Sequence, residues 1–308
     1  MPTVLITGGT GFIGSTLTRA LIEKKYSVII LTRSPEKRIA FSTCISYAGW
    51  DIVNQTIDKE AIANADHIIH LAGAGVADKR WTKKRKQEIV DSRVKSSLLL
   101  VESLKTIPNK VKTMVCASGI GWYGPDPLIP NPKPFEEDAP AHEDFLGNTC
   151  RLWEQCIVPV TQSGARLVKL RTGIVLSREG GALPQFKKPL RFGIAAILGN
   201  GRQMISWIQK DDLVNMFITA IENEKLTGVY NAVAPQPVSN RELTEHLARS
   251  TRKFFIRIRV PSFLLRLFLG EMSIEVLKSA TVSAEKIKAT GFIFKYPEIK
   301  DAIGMVIK

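Results

Sequence analysis

The 308-residue sequence predicts an α/β fold: a doubly wound parallel sheet with a smaller C-terminal lobe. Three observations carry that reading. A short apolar run, Val4-Leu5-Ile6-Thr7, passes into a glycine-rich turn and then into a segment with helical spacing, where Leu17, Ala20 and Leu21 share one face. Apolar strand-like runs alternate with helical stretches through residues 1–176, which implies parallel strands joined by right-handed crossovers. The length and the 44% apolar content suffice for one such domain over residues 1–176 and a smaller unit over residues 177–308.

In the first unit, Gly8, Gly11 and Gly14 stand between the first strand and the first helix, residues 15–24. Glycine admits φ > 0 and lets a pyrophosphate approach the backbone closely. The helix N-terminus then offers unpaired N–H groups and the positive end of its dipole. Gly8, Thr10, Gly11, Phe12, Ile13 and Gly14 are therefore expected to hold a dinucleotide. The second strand, residues 26–31, ends in Thr32-Arg33-Ser34. At this point an acidic residue takes the ribose 2′-hydroxyl of NAD, whereas an arginine suits the 2′-phosphate of NADP. There is no Asp or Glu here, so Thr32, Arg33 and Ser34 predict NADP(H); the alternative is a surface arginine.

A third strand ends near Asp51, which is either a contact for the adenine amine or a turn residue. A fourth lies within residues 65–75. His67 and His70 read as packed rather than catalytic, and Leu71, Ala72 and Gly73 end the strand where a cofactor lies close. The long helix over residues 81–104 has Ile89, Val94, Leu98, Leu99 and Val101 among its apolar positions and carries Glu88 and Arg93, expected to flank the cofactor. The fifth strand, residues 111–117, leads into Ser118-Gly119-Ile120-Gly121-Trp122-Tyr123-Gly124. A polar, Pro-rich loop over residues 125–144 is long enough to carry function. A helix over residues 146–161 and a sixth strand over residues 165–170 follow, and the strand continues through Arg171 to Val175 and Leu176. Ligands of such sheets bind beyond the carboxyl ends of the strands, which adds Ser118, Arg171 and Val175 to the cofactor set.

Residues 177 onward read as a substrate lobe, with some elements returning to the main sheet. They include the Gly180-Gly181-Ala182 and Gly199-Asn200-Gly201 loops, a helix to about residue 222, a strand over residues 228–233, and a capping box at Ser239 and Glu242. Residues 261–279 are helical, interrupted by Gly270. The apolar side chains from Phe263 to Leu269 are expected to form a core or dimer face rather than a membrane-surface face.

The net charge of +14 is spread over many helices. Its densest cluster, residues 79–86, reads as a solvated or phosphate-steering face, with nucleic-acid association through this basic helix the weaker alternative; no nucleic-acid motif accompanies it. No apolar run approaches the ~18 residues of a membrane span, and the first strand follows the N-terminus too closely for a signal peptide. Cys44, Cys116, Cys150 and Cys156 are scattered, without a C-x-x-C pair, which suggests a reducing cytoplasm. The partner expected is a small-molecule substrate, with no metal, membrane or nucleic acid, in a monomer or homodimer.

The motifs Thr7-Gly8-Gly9-Thr10-Gly11-Phe12-Ile13-Gly14, Leu71-Ala72-Gly73, Trp122-Tyr123-Gly124 and Ser206-Trp207-Ile208 before Asp211-Asp212 resemble the extended short-chain dehydrogenases/reductases of the NAD(P)-dependent epimerase/dehydratase group, over nearly the full length. Asp91-Ser92-Arg93, Trp153-Glu154, Gly180-Gly181-Ala182, Leu269-Gly270-Glu271 and Ala289-Thr290-Gly291-Phe292 are similar to its atypical branch, the epimerase family proteins with a C-terminal domain of unknown function. The resemblance implies a Rossmann-type fold and oxidoreductase or epimerase-like chemistry. Ordinary members use a Tyr-x-x-x-Lys pair, tyrosine as acid/base and lysine to lower its pKa. With Trp153-Glu154 in register, Leu146 takes the tyrosine position and Cys150 the lysine position, while Arg93 replaces the usual asparagine. Ser118 lies five residues before Tyr123, and Gly119 holds the usual place, four before. The literal match Tyr296-Pro297-Glu298-Ile299-Lys300 carries a proline and follows the wrong element. Two readings follow. One is an NADP(H)-dependent reductase or epimerase-like enzyme whose proton donor is Ser118, Tyr123, Cys150 or a water. The other is a protein that binds or senses NADP(H) without chemistry.

Overall fold

The structure, a computed structural model, describes every residue except Arg252, Lys253 and Lys308. In chain order its first half runs β1 (Thr3–Thr7), α1 (Phe12–Glu23), β2 (Ser27–Thr32), β3 (Ile45–Asp51), β4 (Thr56–Ile57), α2 (Lys59–Asn64), β5 (His67–His70), α3 (Lys83–Thr106), β6 (Thr113–Gly119), α4 (Phe145–Ile157), β7 (Arg166–Thr172) and β8 (Ile174–Leu176). Then come α5 (Leu183–Leu190), β9 (Ile194–Leu198), β10 (Met204–Ile205), β11 (Trp207–Gln209), α6 (Lys210–Glu222), β12 (Gly228–Ala232), β13 (Val238–Ser239), α7 (Asn240–Ser250) and β14 (Ile256–Val260). The C-terminal helices are α8 (Ser262–Leu269), α9 (Ser273–Leu277), α10 (Glu285–Ala289) and α11 (Ile299–Ile307).

Eight strands form one sheet in the order β12-β7-β6-β5-β1-β2-β3-β4, parallel throughout except for β4 at the edge. The central strands are continuous apolar runs because both faces are covered: Leu5, Ile6, Ile68, Ile69, Val115 and Val168 are fully buried. Each such side chain contributes about 1.5–3 kcal/mol. Leu17 and Leu21 of α1 pack with Phe217 and Ile221 of α6 in one cluster, and Ile62 of α2 with Leu100 and Leu104 of α3 in another. The chain winds outward one way through β1, β2 and β3, and the other way through β5, β6 and β7. The switch point between β1 and β5 is where a doubly wound sheet opens a crevice for ligands. β12, from the second half of the chain, pairs with β7 and so returns to the main sheet.

Local chemistry sets the boundaries. α3 starts at Lys83 rather than Trp81, because the Thr82 hydroxyl accepts from the Arg85 N–H (3.1 Å) and caps the helix. α4 stops at Ile157 and tightens into a 3-10 turn containing Pro159, which has no N–H to continue the ladder. The Pro-rich loop is pinned rather than free. Asp126, buried within it, accepts from Ser279 Oγ (2.7 Å), Thr281 Oγ1 (2.8 Å) and Thr281 N (2.9 Å). Asp212 of α6 holds the backbone N–H groups of Lys295 and Tyr296, which keeps the literal Tyr-x-x-x-Lys match on the C-terminal segment, away from α4.

The expectation of a core or dimer face on α8 is corrected as to the core. No residue of that helix is buried, and Phe263, Leu267 and Phe268 project into solvent. No helix among the described residues is long and apolar enough to cross a membrane.

Candidate dinucleotide site

The three glycines of the turn do different work. Gly8 has φ +72°, and a Cβ there would lie 3.1 Å from the backbone of Leu71 and Ala72. A Cβ on Gly14 would lie 2.2 Å from the Gly8 carbonyl oxygen, so this glycine lets α1 leave the sheet steeply. Gly11 is the open position. Its N–H donates to Gly8 O (2.9 Å), and within 4 Å of a Cβ only that oxygen would be met, at 3.2 Å. Gly11 caps α1 without any side-chain hydrogen bond, and the first turn holds no acidic residue. Thr10 and Gly11 are exposed, and Phe12 and Ile13 half-buried. The first turn therefore carries no acidic side chain of its own against its N–H groups, which fits a pyrophosphate.

Thr7 ties the turn to β5. Its Oγ1 accepts from the N–H groups of Leu71 (3.1 Å) and Ala72 (3.2 Å) and is hydrogen-bonded with His70 Nδ1 (2.7 Å). His70 Nε2 lies 3.1 Å from Ser97 Oγ. Burial, with Arg93 nearby, pushes the His70 pKa down to about 3, so the ring is neutral and packed, as predicted. At the end of β2, Thr32 is buried, Ser34 is half-buried, and Arg33 is exposed with no ion pair or hydrogen bond among the described residues. Glu36, Lys37 and Arg38 follow, also exposed. Asp51 resolves as a turn residue: its carboxylate accepts from Val53 N (2.8 Å), Asn54 N (3.1 Å) and Asn54 Nδ2 (2.7 Å).

Arg93 bends under Gly73. Its Nη1 donates to Ala74 O and Ile89 O, both at 3.0 Å, and its guanidinium lies 4.9 Å above the Trp153 ring. Glu88 does not join it. It is exposed and pairs with Arg85 at 2.7 Å. Val175, half-buried on β8, pairs with Ile208 of β11, and the Gly180-Gly181 loop that follows β8 folds onto the Phe12 ring.

Beyond β6, the side chains expected to handle protons are enclosed. Glu154, 3% exposed, accepts from Ser118 Oγ (2.8 Å), from Arg171 Nε (2.8 Å) and from Arg171 Nη2 (3.2 Å), with Lys169 Nζ at 3.3 Å. Arg171 also donates to Tyr123 Oη (3.0 Å), while the Tyr123 hydroxyl donates to Asn231 Oδ1 (2.7 Å). Burial opposes the Arg171 charge, but Glu154 more than offsets it and the pKa rises. Tyr123 is fully buried against Phe135, and its pKa is pushed up to about 12 by that burial. Cys150 is buried with Sγ 3.6 Å from Gly119 O. Desolvation drives its thiol up to about 11 although Arg93 pulls the other way. Leu146 packs against Gly121. Ser118, Tyr123 and Arg171 are thus brought together in a closed, buried network. The cause is the Glu154 carboxylate, which must be fully partnered once buried.

Sequence reasoning named Glu154 only as part of a motif and missed Asn231, Lys169 and Lys278. Lys278 reaches from the C-terminal segment to Tyr123 O (3.3 Å), Asp144 Oδ2 (3.4 Å) and Glu275 (2.8 Å). Asp144 was legible: it stands three residues before Gly147, whose N–H it caps. Nothing near Lys278 in sequence announces its partners.

A doubly wound parallel sheet, a glycine turn and an uncapped helix at the switch point define a dinucleotide-binding α/β protein. Residues 4–232 match the model of the NAD dependent epimerase/dehydratase family, and residues 260–305 match a domain of unknown function. The chain belongs to that family as an NAD(P)-binding member. It is 38% identical over 299 residues to an epimerase family protein of Staphylococcus saprophyticus, covering 97% of each chain. It is 36% identical over 308 residues to another from Staphylococcus aureus, covering 100% of each. Among solved structures, the human epimerase family protein SDR39U1, isoform 2, with NADPH, superposes with a TM-score of 0.86 at 27% identity, covering 99% of this chain and 98% of that one. The UDP-glucuronic acid 4-epimerase of Bacillus cereus, in complex with UDP-glucuronic acid and NAD, shares the fold at a TM-score of 0.79 and 21% identity, covering 99% of this chain and 97% of that one.

Proposed function

We propose that the chain binds NADP(H) in preference to NAD(H) and works as an oxidoreductase on a small molecule, taking its proton from water. The observation that carries the cofactor choice is Arg33, unpartnered and exposed at the end of β2, where Thr32-Arg33-Ser34 holds no acidic residue. The NADPH in the human relative's structure supports it. Gly8 through Gly14 would hold the pyrophosphate, Thr32 to Ser34 the 2′-phosphate, and Leu71, Ala72, Gly73 and Val175 the remaining walls. When bound, the nicotinamide supplies or accepts a hydride. Arg93 holds a fixed positive charge beside Gly73, in place of the missing lysine, and Cys150 fills space beside Gly119 as a neutral thiol. Residues 177 onward, apart from strands that rejoin the main sheet, would line the substrate.

A second reading, an NADP(H) sensor without chemistry, draws on Leu146 and on the enclosure of Ser118 and Tyr123, which leave no side-chain acid exposed at the usual position. The loss of reduced-nicotinamide absorbance with a panel of aldehydes and ketones separates the two. Turnover with any member supports the oxidoreductase; full binding of NADPH with no oxidation across the panel supports the sensor.

A further inference from the structure

α1 and α6 lie side by side, Leu17 and Leu21 packing in one cluster with Phe217 and Ile221. α1 follows β1 and α6 leads into β12, and both strands belong to the parallel part of the main sheet. Both helices therefore start at the carboxyl edge, where the dinucleotide turn stands. The first residue of α1 is Phe12, and the first residue of α6 is Lys210. Lys210 Nζ lies 5.6 Å from the centre of the Phe12 ring. A cation thus stands beside the residue that opens the first turn of α1.

That cation is enclosed. The Lys210 side chain is 9% exposed, and its ammonium has one acceptor among the described residues, Glu179 Oε2 at 2.6 Å. An ammonium carries three donors, and burying it is costly unless they are satisfied. The acceptor comes from an exposed loop, the Glu179 side chain being 66% exposed. A bridge between Leu176 and Gly181 closes this loop, and within it the Glu179 N–H donates to Ser177 Oγ (3.3 Å). Gly180 lies against Phe12, where a Cβ would stand 2.8 Å from Cδ2 of the ring. The other charges nearby are Arg19 and Arg178, whose fields act on Glu179, and Asp211, half-buried next to Lys210. Asp212 is taken by the N–H groups of Lys295 and Tyr296.

We propose that Lys210 is a ligand of the cofactor's diphosphate and that Glu179 competes with the diphosphate for its ammonium, a role that rests on the assignment of Gly8 to Gly14 as the dinucleotide turn. The N–H groups of α1 supply directional donors, and Lys210 supplies the full positive charge that amides lack. A diphosphate with two negative charges draws the ammonium more strongly than one carboxylate that is largely in water. The exchange leaves Glu179 in solvent, in the field of Arg19 and Arg178, so no charge is stranded in a dry site.

The test is fluorescence titration of NADPH against the full-length parent, Lys210→Met, Lys210→Arg and Glu179→Gln. Lys210→Met should bind about tenfold more weakly or worse, the loss of one charged hydrogen bond, and Lys210→Arg should keep most of the affinity. Glu179→Gln should bind more tightly, by up to about fivefold, because the competing carboxylate is gone. The Lys210→Met loss should recur with 2′-phospho-ADP-ribose, which carries the diphosphate. It should vanish with adenosine 2′-monophosphate, which does not, and undiminished binding of that fragment also shows the variant to be folded. Lys210→Met within about twofold of the parent, Glu179→Gln no tighter than the parent, or equal losses with both fragments would each overturn the proposal. Weaker binding in Lys210→Met and Glu179→Gln alike would make the pair a latch for the loop instead. A parent protein that binds no NADPH at all would show the dinucleotide turn itself to be misassigned, and the role of Lys210 would fall with it.

Discussion

Glu154 of α4 and Arg171 of β7 meet in a two-point ion pair, Nε to Oε1 at 2.8 Å and Nη2 to Oε2 at 3.2 Å, with both side chains almost completely enclosed. The same carboxylate takes the Ser118 hydroxyl and faces Lys169, so it fastens β6 and β7 to α4. Removing one member of a buried pair leaves its partner charged and desolvated, at a cost of about 3–5 kcal/mol. Glu154→Ala should lose that much stability in urea unfolding. Glu222→Ala, which breaks the exposed Lys24–Glu222 pair, should lose at most about 1 kcal/mol. Similar losses for both would show that the network does not hold the sheet.

What was legible in the sequence is what local pattern encodes. The glycine turn sits between an apolar run and a helical face, and the parallel strands read as buried runs because each is covered on both sides. The expectation that Leu146 and Cys150 stand where ordinary members carry the proton-transfer pair came from the resemblance, with Trp153-Glu154 in register. The Glu154–Arg171–Tyr123–Asn231 network was not legible, because Tyr123 and Asn231 are far apart in the chain and meet only through tertiary packing. The apolar face of α8, expected on a core or a dimer, does not lie in the core of this chain: hydrophobic spacing says that a face wants cover, not whether the same chain supplies it.

His70 makes stability depend on pH. Its folded pKa, about 3, lies below the unfolded value near 6.5, so between these the unfolded chain binds the extra proton. The penalty is absent above pH ~6.5 and grows as pH falls toward ~3, at up to about 1.4 kcal/mol per unit. Replacing the ring by a group that cannot titrate, in His70→Asn, should flatten this part of the acid limb. An unchanged slope between ~6 and ~4 would rule His70 out as its source.

Gly11 and Gly14 should separate binding from folding. Gly14→Ala forces a methyl to within 2.2 Å of the Gly8 carbonyl oxygen and should destabilise the fold strongly. Gly11→Val meets only that oxygen at 3.2 Å, so the variant should fold yet lose NADPH binding. A folded Gly11→Val protein with the parent's affinity would move the pyrophosphate elsewhere.

Cys150 is expected to be inert. With its thiol raised to about 11 and buried, almost no thiolate forms at neutral pH. Iodoacetamide applied to the folded protein should leave Cys150 unmodified by mass spectrometry, and Cys150→Ser should retain any turnover that the parent shows. Rapid alkylation of Cys150, or loss of turnover in that variant, would restore it as a chemical participant.

The central claim, that the end of β2 is built for a 2′-phosphate, is tested most directly by titrating NADPH and NADH against the parent protein and Arg33→Asp. One charged hydrogen bond is worth about 1.5–3 kcal/mol, so the parent should prefer NADPH by roughly 10- to 150-fold, and Arg33→Asp should erase or invert that preference. Equal affinities for the two cofactors in the parent, or a preference that survives the substitution, would contradict it.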